Sequence, residues 1–423
     1  MLIVKDEVLT LENESGPVAT FPLTSMRAEL RTVAATWLAQ GPSPIRLGQV
    51  ENVSPDNEVA GAVHAVLPHP GNADILYLGS VNGGVWKTTN ATDEKPIWTP
   101  LTDTASSLSI GALAFDTSTS LYTTLWAGIG RNSSLSSFGG VRSGLMKSTD
   151  AGASWTSVTG GGTLVGKNIS GLVAHGNTIV VSVNTADAFY YSNVGIFHST
   201  DSGNTFTQIS KGDGTTTGLP GGRAYDLAQD PKNSSVLYTA INLASDVGGV
   251  NGIYRSADTG ATWTKVSSSD IDEKIISGTT GNIEISVGLN TSAVNVGILN
   301  SGQLRNGGVF QSPTGLADSW VAMDTPLTNE GGGSVGTNPT FKAQAGKPGG
   351  QGAIHFSILA GKNSTQLYVG GDRQPLGSGD KGSFPNAIGA NNYTGRLFRG
   401  DSSVTATGLT PSPQWKHLTH TAD

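Results

Sequence analysis

Four residues of this chain have types and placements suited to acid–base or metal chemistry: His64, Asp226, Glu284 and His355. Each is the middle of a short triplet: Val63-His64-Ala65, Tyr225-Asp226-Leu227, Ile283-Glu284-Ile285 and Ile354-His355-Phe356. Two further triplets, Ile110-Gly111-Ala112 and Ile169-Ser170-Gly171, match them in position. Alternate side chains of a strand point to opposite faces, so each middle residue faces away from its apolar neighbours. Paired carboxylates such as Asp226 and Glu284 can push one pKa upward and so divide acid and base work. Two imidazoles with two carboxylates also make a donor set able to hold a metal ion. No other cofactor is expected.

Other candidates stand apart from this column. Gly370-Gly-Asp372-Arg373 follows the strand-like run Gln366–Val369 and puts two charges at a turn. His417-x-x-His420 with Asp423 has ligand-like types but lacks the helical His-Glu-x-x-His pattern. Trp86 could stack on a sugar ring, or pack between neighbouring units. The sequons at Asn132 and Asn363 follow from a composition rich in Asn, Ser and Thr.

The elements that position these residues are repeated. Ser148-Thr-Asp150-Ala-Gly152-Ala-Ser-Trp155 returns as Ser199-Thr-Asp201-Ser-Gly203-Asn-Thr-Phe206 and as Ser256-Ala-Asp258-Thr-Gly260-Ala-Thr-Trp263. The three aspartates are 51 and 57 residues apart, which marks an array of one small unit. Each copy reads as a hairpin. An apolar run precedes it (144–147, 195–198, 252–255) and an aromatic-led run follows. The Asp side chain can accept bonds from backbone amides just ahead of it, and the Gly tolerates positive φ. Degenerate copies at 84–98, 308–320 and 395–415 bring the number of units to six. A further strand pair stands upstream of each hairpin, such as 63–67 with 75–79, giving four strands per unit.

The Ser-x-Asp-x-Gly-x-(Ser/Thr)-Trp/Phe pattern resembles the Asp-box, or bacterial neuraminidase repeat. It is found in sialidases, family-74 xyloglucanases, sortilin-type receptors and a photosystem assembly factor. The resemblance implies an all-β propeller of six or more four-stranded blades, seven if complete. It places the box on the turn between a blade's third and fourth strands, and the first strand on the central channel. His64, Asp226, Glu284 and His355 would then converge on one axis, although propeller channels are polar and water-filled in any case. The resemblance does not carry an activity with it. The sialidase arginine triad has only a faint echo in Pro44-Ile-Arg-Leu47, and the position of the family-74 catalytic aspartate is Val81.

Composition narrows the class. Hydrophobic residues are 36% and charged ones 13%, with 58 Gly and no Cys, which suits short strands and tight loops and excludes disulfides and thiol chemistry. A net charge of −7 disfavours nucleic acid and anionic membranes as partners, and no apolar run approaches a membrane span. Residues 1–60 read as an extension containing an amphipathic helix over 25–40, and residues 61–423 as the propeller, with a long insertion at about 373–393. The chain is expected to be a fragment of a longer bacterial protein, or six units closed by an N-terminal strand. The start lacks the features of a signal peptide, yet an extracellular or cell-surface location is expected. The sequence points to a monomeric binding module for a glycan or protein. Two other readings remain: a glycoside hydrolase working through Asp226 and Glu284, and a structural or assembly propeller.

Overall fold

The computed structural model describes residues 2–5, 8–13, 16–22, 62–131, 139–187, 190–215, 218–300, 303–330, 333–335, 356–373 and 395–418. The chain divides into two compact units, Met1–Gln40 and Gly41–Asp423. In the first, β1 (Leu2–Lys5), β2 (Val8–Asn13) and β3 (Gly16–Pro22) form an antiparallel meander. The helix expected over 25–40 lies outside the described residues, as does most of the insertion.

The second unit contains six four-stranded antiparallel sheets, each with its strands in sequence order. Blade I comprises β4 (Val63–Pro68), β5 (Leu76–Ser80), β6 (Val85–Thr88) and β7 (Thr99–Pro100). Blade II comprises β8 (Ile110–Phe115), β9 (Leu125–Ile129), β10 (Leu145–Ser148) and β11 (Thr156–Val158). Blade III comprises β12 (Lys167–His175), β13 (Thr178–Ala186), β14 (Gly195–Ser199) and β15 (Thr207–Gln208). Blade IV comprises β16 (Arg223–Asp230), β17 (Asn233–Asn242), β18 (Gly252–Ser256) and β19 (Thr264–Lys265). Blade V comprises β20 (Thr280–Val287), β21 (Val294–Asn300), β22 (Gln303–Ser312) and β23 (Val321–Met323). A small hairpin, β24 (Thr328–Glu330) with β25 (Gly333–Val335), precedes blade VI. Blade VI comprises β26 (Ser357–Ala360), β27 (Gln366–Arg373), β28 (Gly395–Asp401) and β29 (Trp415–His417). Successive first strands pack side by side, β4 on β8 and so on to β26. The architecture is a six-bladed β-propeller.

Burial explains why these runs become strands. β9 and β21 are buried along their whole length, so each central sheet is covered on both faces by its neighbours. Fourth strands are short and more exposed, as expected at the outer rim. Close approach between blades depends on small residues in the second strand. A Cβ at Gly128 would lie 2.5 Å from Ile169 Cγ2 of the next blade, and Gly79 meets Ile110 in the same way. The end blades differ from the rest: Val66 on β4 and Leu359 on β26 are exposed.

The three Ser-x-Asp-x-Gly turns join third to fourth strands, and their hydrogen bonds are nearly identical. In blade III the buried Ser199 hydroxyl donates to Asp201 Oδ1 at 2.7 Å and accepts from Gly203 N–H at 2.9 Å. Asp201 also accepts from the amide and hydroxyl of Thr205, at 2.9 and 2.6 Å. Blade II repeats this with Ser148, Asp150, Gly152 and Ser154, and blade IV with Ser256, Asp258, Gly260 and Thr262. These bonds, led by the Thr205 and Ser154 hydroxyls, hold the Asp201 and Asp150 carboxyls down to about 2. The chain passes through left-handed φ at Ser202 and Gly203, and at the matching positions of the other two turns. Trp155 and Trp263 donate their indole N–H to Gly152 and Gly260 carbonyls. Each turn is then bonded to the first turn of its own blade, through Ala151 to Thr123, Ser202 to Asn177 and Thr259 to Ser235. Blade I makes a variant of the device, in which Thr88 and Asn90 replace Ser and Asp.

Candidate functional site

Two members of the channel column, Ser170 and Asp226, bond to the next blade. β4, β8, β12 and β16 each carry a register shift at the column, at His64, Gly111, Ser170 and Tyr225–Asp226 respectively. A bulge leaves the extra residue unpaired in its own ladder and re-aims it. Ser170 uses this freedom to donate to the Ala224 carbonyl of the next blade at 2.9 Å. Asp226 accepts from Leu227 N–H at 2.7 Å through one oxygen and from Ile285 N–H of blade V at 2.8 Å through the other. Blade V departs from the pattern. Its irregularity lies earlier, between Thr280 and Asn282, and Glu284 sits in the regular ladder opposite Gly297.

The structure therefore brings Asp226 and Glu284 together, as the alternation of their strands requires. Ile285, whose amide holds Asp226, is the residue after Glu284. Both carboxylates are half-buried. Desolvation raises Asp226 to about 6 against the pull of the two amides. Desolvation and then the charge of Asp226 raise Glu284 well above its ordinary value, while the Asn282 side chain, donating at 2.8 Å, opposes the shift. His64, on β4, is lowered to about 4 by desolvation. His355 lies outside the described residues. Among the described residues no cluster of three metal-ligating side chains forms.

The remaining candidates separate. Asp372 and Arg373 end β27, where Arg373 pairs with Gly395 across the bulged ladder to β28. Trp86 on β6 is half-buried and donates its indole N–H to the Gly83 carbonyl at 2.7 Å. His417 is a core residue: it is 8% exposed and stacks on Phe398 with centroids 4.8 Å apart. His420 and Asp423 are outside the described residues. Val81 is buried, with its amide on the Ala62 carbonyl. Asn363 caps a turn by accepting from Gln366 N–H at 2.9 Å, and Asn132 is outside the described residues.

The end of the propeller that carries the second-to-third and fourth-to-first connections holds groups that sequence reasoning missed. Arg142, in the β9–β10 connection, is only 6% exposed and pairs through Nη1 with Asp187 Oδ1 at 2.9 Å. Among the described residues its buried Nε has no hydrogen-bond partner. Arg131 donates its Nε–H to the Gly140 carbonyl at 2.8 Å. Lys167 is buried, with Nζ 3.4 Å from Asn193 Oδ1 and over the Phe197 ring, and desolvation lowers it. The connections at the same end also expose Val141, Val165, Tyr190, Val247, Val250 and Ile276. None of these positions recurs from blade to blade, so no periodic signal marks them.

No family model matches the chain, and comparison with curated proteins finds no match. Among solved structures the chain is similar to an ancestral GH74 enzyme, with TM-score 0.48 and 16% identity, covering 86% of this chain and 39% of that one. It is also similar to the GH74 enzyme of Niastella koreensis (TM-score 0.48, 17% identity, 84% and 45% covered). YCF48 bound to D1 peptide gives TM-score 0.44 and 12% identity, with 90% and 87% covered. The chain spans less than half the length of these two GH74 enzymes. The propeller assignment rests on the blade topology itself.

Proposed function

We propose that this chain is a binding propeller that takes a polypeptide partner on the end bearing its second-to-third and fourth-to-first connections. The observation that carries the reading is the exposed apolar set at that end, Val141, Val165, Tyr190, Val247, Val250 and Ile276. Exposed apolar surface marks interaction sites. Ile97, Leu121, Leu289 and Leu316 are exposed at the other end as well, but here Val141 directly precedes the buried Arg142 and Val165 lies two residues from the buried Lys167. Aliphatic side chains suit a peptide better than a sugar ring, which stacks on aromatic faces, and Tyr190 is the one aromatic of the six. The turns at the other end, with their Ser–Asp–Gly hydrogen bonds, support reading them as Asp-boxes that brace the blades, in keeping with a secreted scaffold.

The second reading, a glycoside hydrolase, is favoured by the adjacent, upshifted Asp226 and Glu284. Against it, each Asp226 oxygen accepts a backbone amide, one of them from the next blade, which ties this carboxylate to the channel wall, whereas an acid or nucleophile must be aimed at substrate. The test pairs a peptide-display selection on the full chain with a panel of chromogenic glycosides. Selected peptides should lose binding when Val250→Asp places a charge in the apolar set. Glycoside turnover that disappears in an Asp226→Asn, Glu284→Gln double variant would establish the hydrolase instead.

A further inference from the structure

We propose that Arg142 and Arg131 form a carboxylate-recognition subsite at the junction of blades II and III, which accepts an acidic side chain of the peptide partner. The inference rests on the reading of this end as the binding face and adds the chemistry it selects.

Arg131 donates to the carbonyl of Gly140, two residues before Arg142, and its charge adds to the larger effect of desolvation in depressing Arg142. Asp187 is the one acid that acts on Arg142 among the described residues. Arg142 thus has one carboxylate partner among the described residues and a second guanidinium, Arg131, acting against it. A buried guanidinium offers five donors, and removal from water is costly unless those donors are met. Among the described residues Arg142 meets Asp187 through Nη1, and its buried Nε has no acceptor.

The partnering is also lopsided in exposure. Arg142 is 6% exposed, whereas the Asp187 side chain is 64% exposed. An exposed carboxylate gains little from holding one geometry, so Asp187 can yield its place to a ligand carboxylate. Arg142 is meanwhile fixed by its surroundings: its carbonyl accepts from Gly166 N–H at 2.8 Å, and the Gly166 carbonyl accepts from Asp187 N–H at 2.8 Å. The backbone thus ties the β9–β10 connection to the start of blade III, so the cation is preorganised and its internal counter-ion is replaceable. Val141 (64% exposed), Val165 and Tyr190 (65% exposed) flank this point in sequence. A ligand that fits would present a carboxylate bordered by apolar groups, as a glutamate between aliphatic residues does. The overall charge of −7 makes a local cationic spot selective, because the rest of the surface repels acids.

The test uses the full chain and fluorescence anisotropy with three probes: labelled peptides carrying one Glu between Val, Leu or Tyr residues, the same peptides with Gln, and a uronate oligosaccharide. The Glu peptides should bind at least about tenfold more tightly than the Gln peptides, the usual size of one charge-assisted contact. Arg142→Gln and Arg131→Gln should each narrow that gap. Asp187→Asn should widen it, because the competing carboxylate is gone. This last variant also covers the case in which Arg142→Gln fails to fold. A merely structural ion pair would make Asp187→Asn lower the melting temperature and leave the acid preference untouched, which would overturn the proposal. Equal binding of Glu and Gln peptides would overturn the subsite while leaving the peptide-binding reading intact. Binding of the uronate alone would overturn the choice of a peptide. Should no peptide bind, acetate measured against chloride decides. A rise in melting temperature that needs Arg142 would keep the carboxylate site and reject the peptide partner, and no rise would end both.

Discussion

Replacing His64 by Gln should tilt the pH dependence of stability between about 4 and 6.5 in one direction, and replacing Asp226 by Asn should tilt it in the other. Asp226 has a folded pKa of about 6 against an ordinary 3.8. Between those values the folded protein holds a proton that the unfolded chain has released. Stability from this group is therefore complete below pH 3.8 and is lost as pH rises through 6, by about 3 kcal/mol. His64 works in the opposite sense, since burial lowers it from 6.5 to about 4. There the unfolded chain holds the extra proton, so stability is complete above pH 6.5 and is lost as pH falls to 4, again by about 3 kcal/mol. Glu284, raised by desolvation and by Asp226, adds to the first slope, and His198, lowered by desolvation, adds to the second.

The opposed slopes should leave the parent protein with a shallow profile across this window. Relative to the parent, His64→Gln should tilt the profile toward stability that falls with rising pH, and Asp226→Asn should tilt it the other way, Glu284 keeping its desolvation-driven part of the first slope. Solvent reaching the channel wall reduces both magnitudes without changing their signs. The assay is urea unfolding at a series of pH values from about 4 to 7, with the free energy taken by linear extrapolation. A constant loss from broken hydrogen bonds does not matter, because slope is the readout. Profiles of either variant that run parallel to that of the parent would refute the reasoning.

Two further substitutions probe the blades. Gly128→Ala should destabilise by about 1–3 kcal/mol through overpacking, because the new Cβ would meet Ile169 Cγ2 at 2.5 Å. Trimming the neighbour with Ile169→Val should recover part of the loss in the denaturation midpoint, and independent effects would contradict the contact. Ser199→Ala should cost about 1–3 kcal/mol, since it leaves the buried Gly203 amide without its acceptor. Asp201→Ala should cost less, because its carboxylate faces water, and the reverse ranking of melting temperatures would count against this picture of the turn.

The turns were the most legible part of the chain because their chemistry is local. Ser199, Asp201, Gly203 and Thr205 satisfy one another within seven residues, so the sequence contains the whole device. The meeting of Asp226 with Glu284 was legible for a similar reason, since strand alternation and blade order suffice to predict it. What alternation does not encode is the bulge. At β16 it turns Asp226 toward the Ile285 amide, and so converts an acid–base candidate into a bond between blades. His417 misled by type: its place among ligand-like residues in sequence gives no hint that it stacks on Phe398. Arg142 and Asp187 were illegible for a different reason. They lie 45 residues apart, in the second-to-third connections of neighbouring blades at positions whose residue types do not recur, and they meet because the blades are arrayed around an axis.

That contrast bears on where function resides. At the turn end the polar side chains are consumed by their own hairpins: Ser148, Ser199 and Ser256 each donate to one group and accept from another a few residues away. A ligand arriving there would have to displace bonds that are short, repeated and tied to backbone. At the opposite end, among the described residues, Arg142 keeps a buried donor unmet and its counter-ion is exposed to water. Aliphatic side chains are exposed at both ends, Leu121 and Leu289 at the turns and Val141 and Val165 here, but here Val141 directly precedes that cation. Unmet donors and uncovered apolar surface both lower the free energy of association once a partner supplies acceptors and cover. The repeat that identifies the fold accordingly braces one end, and the unrepeated connections at the other are where a partner has something to gain.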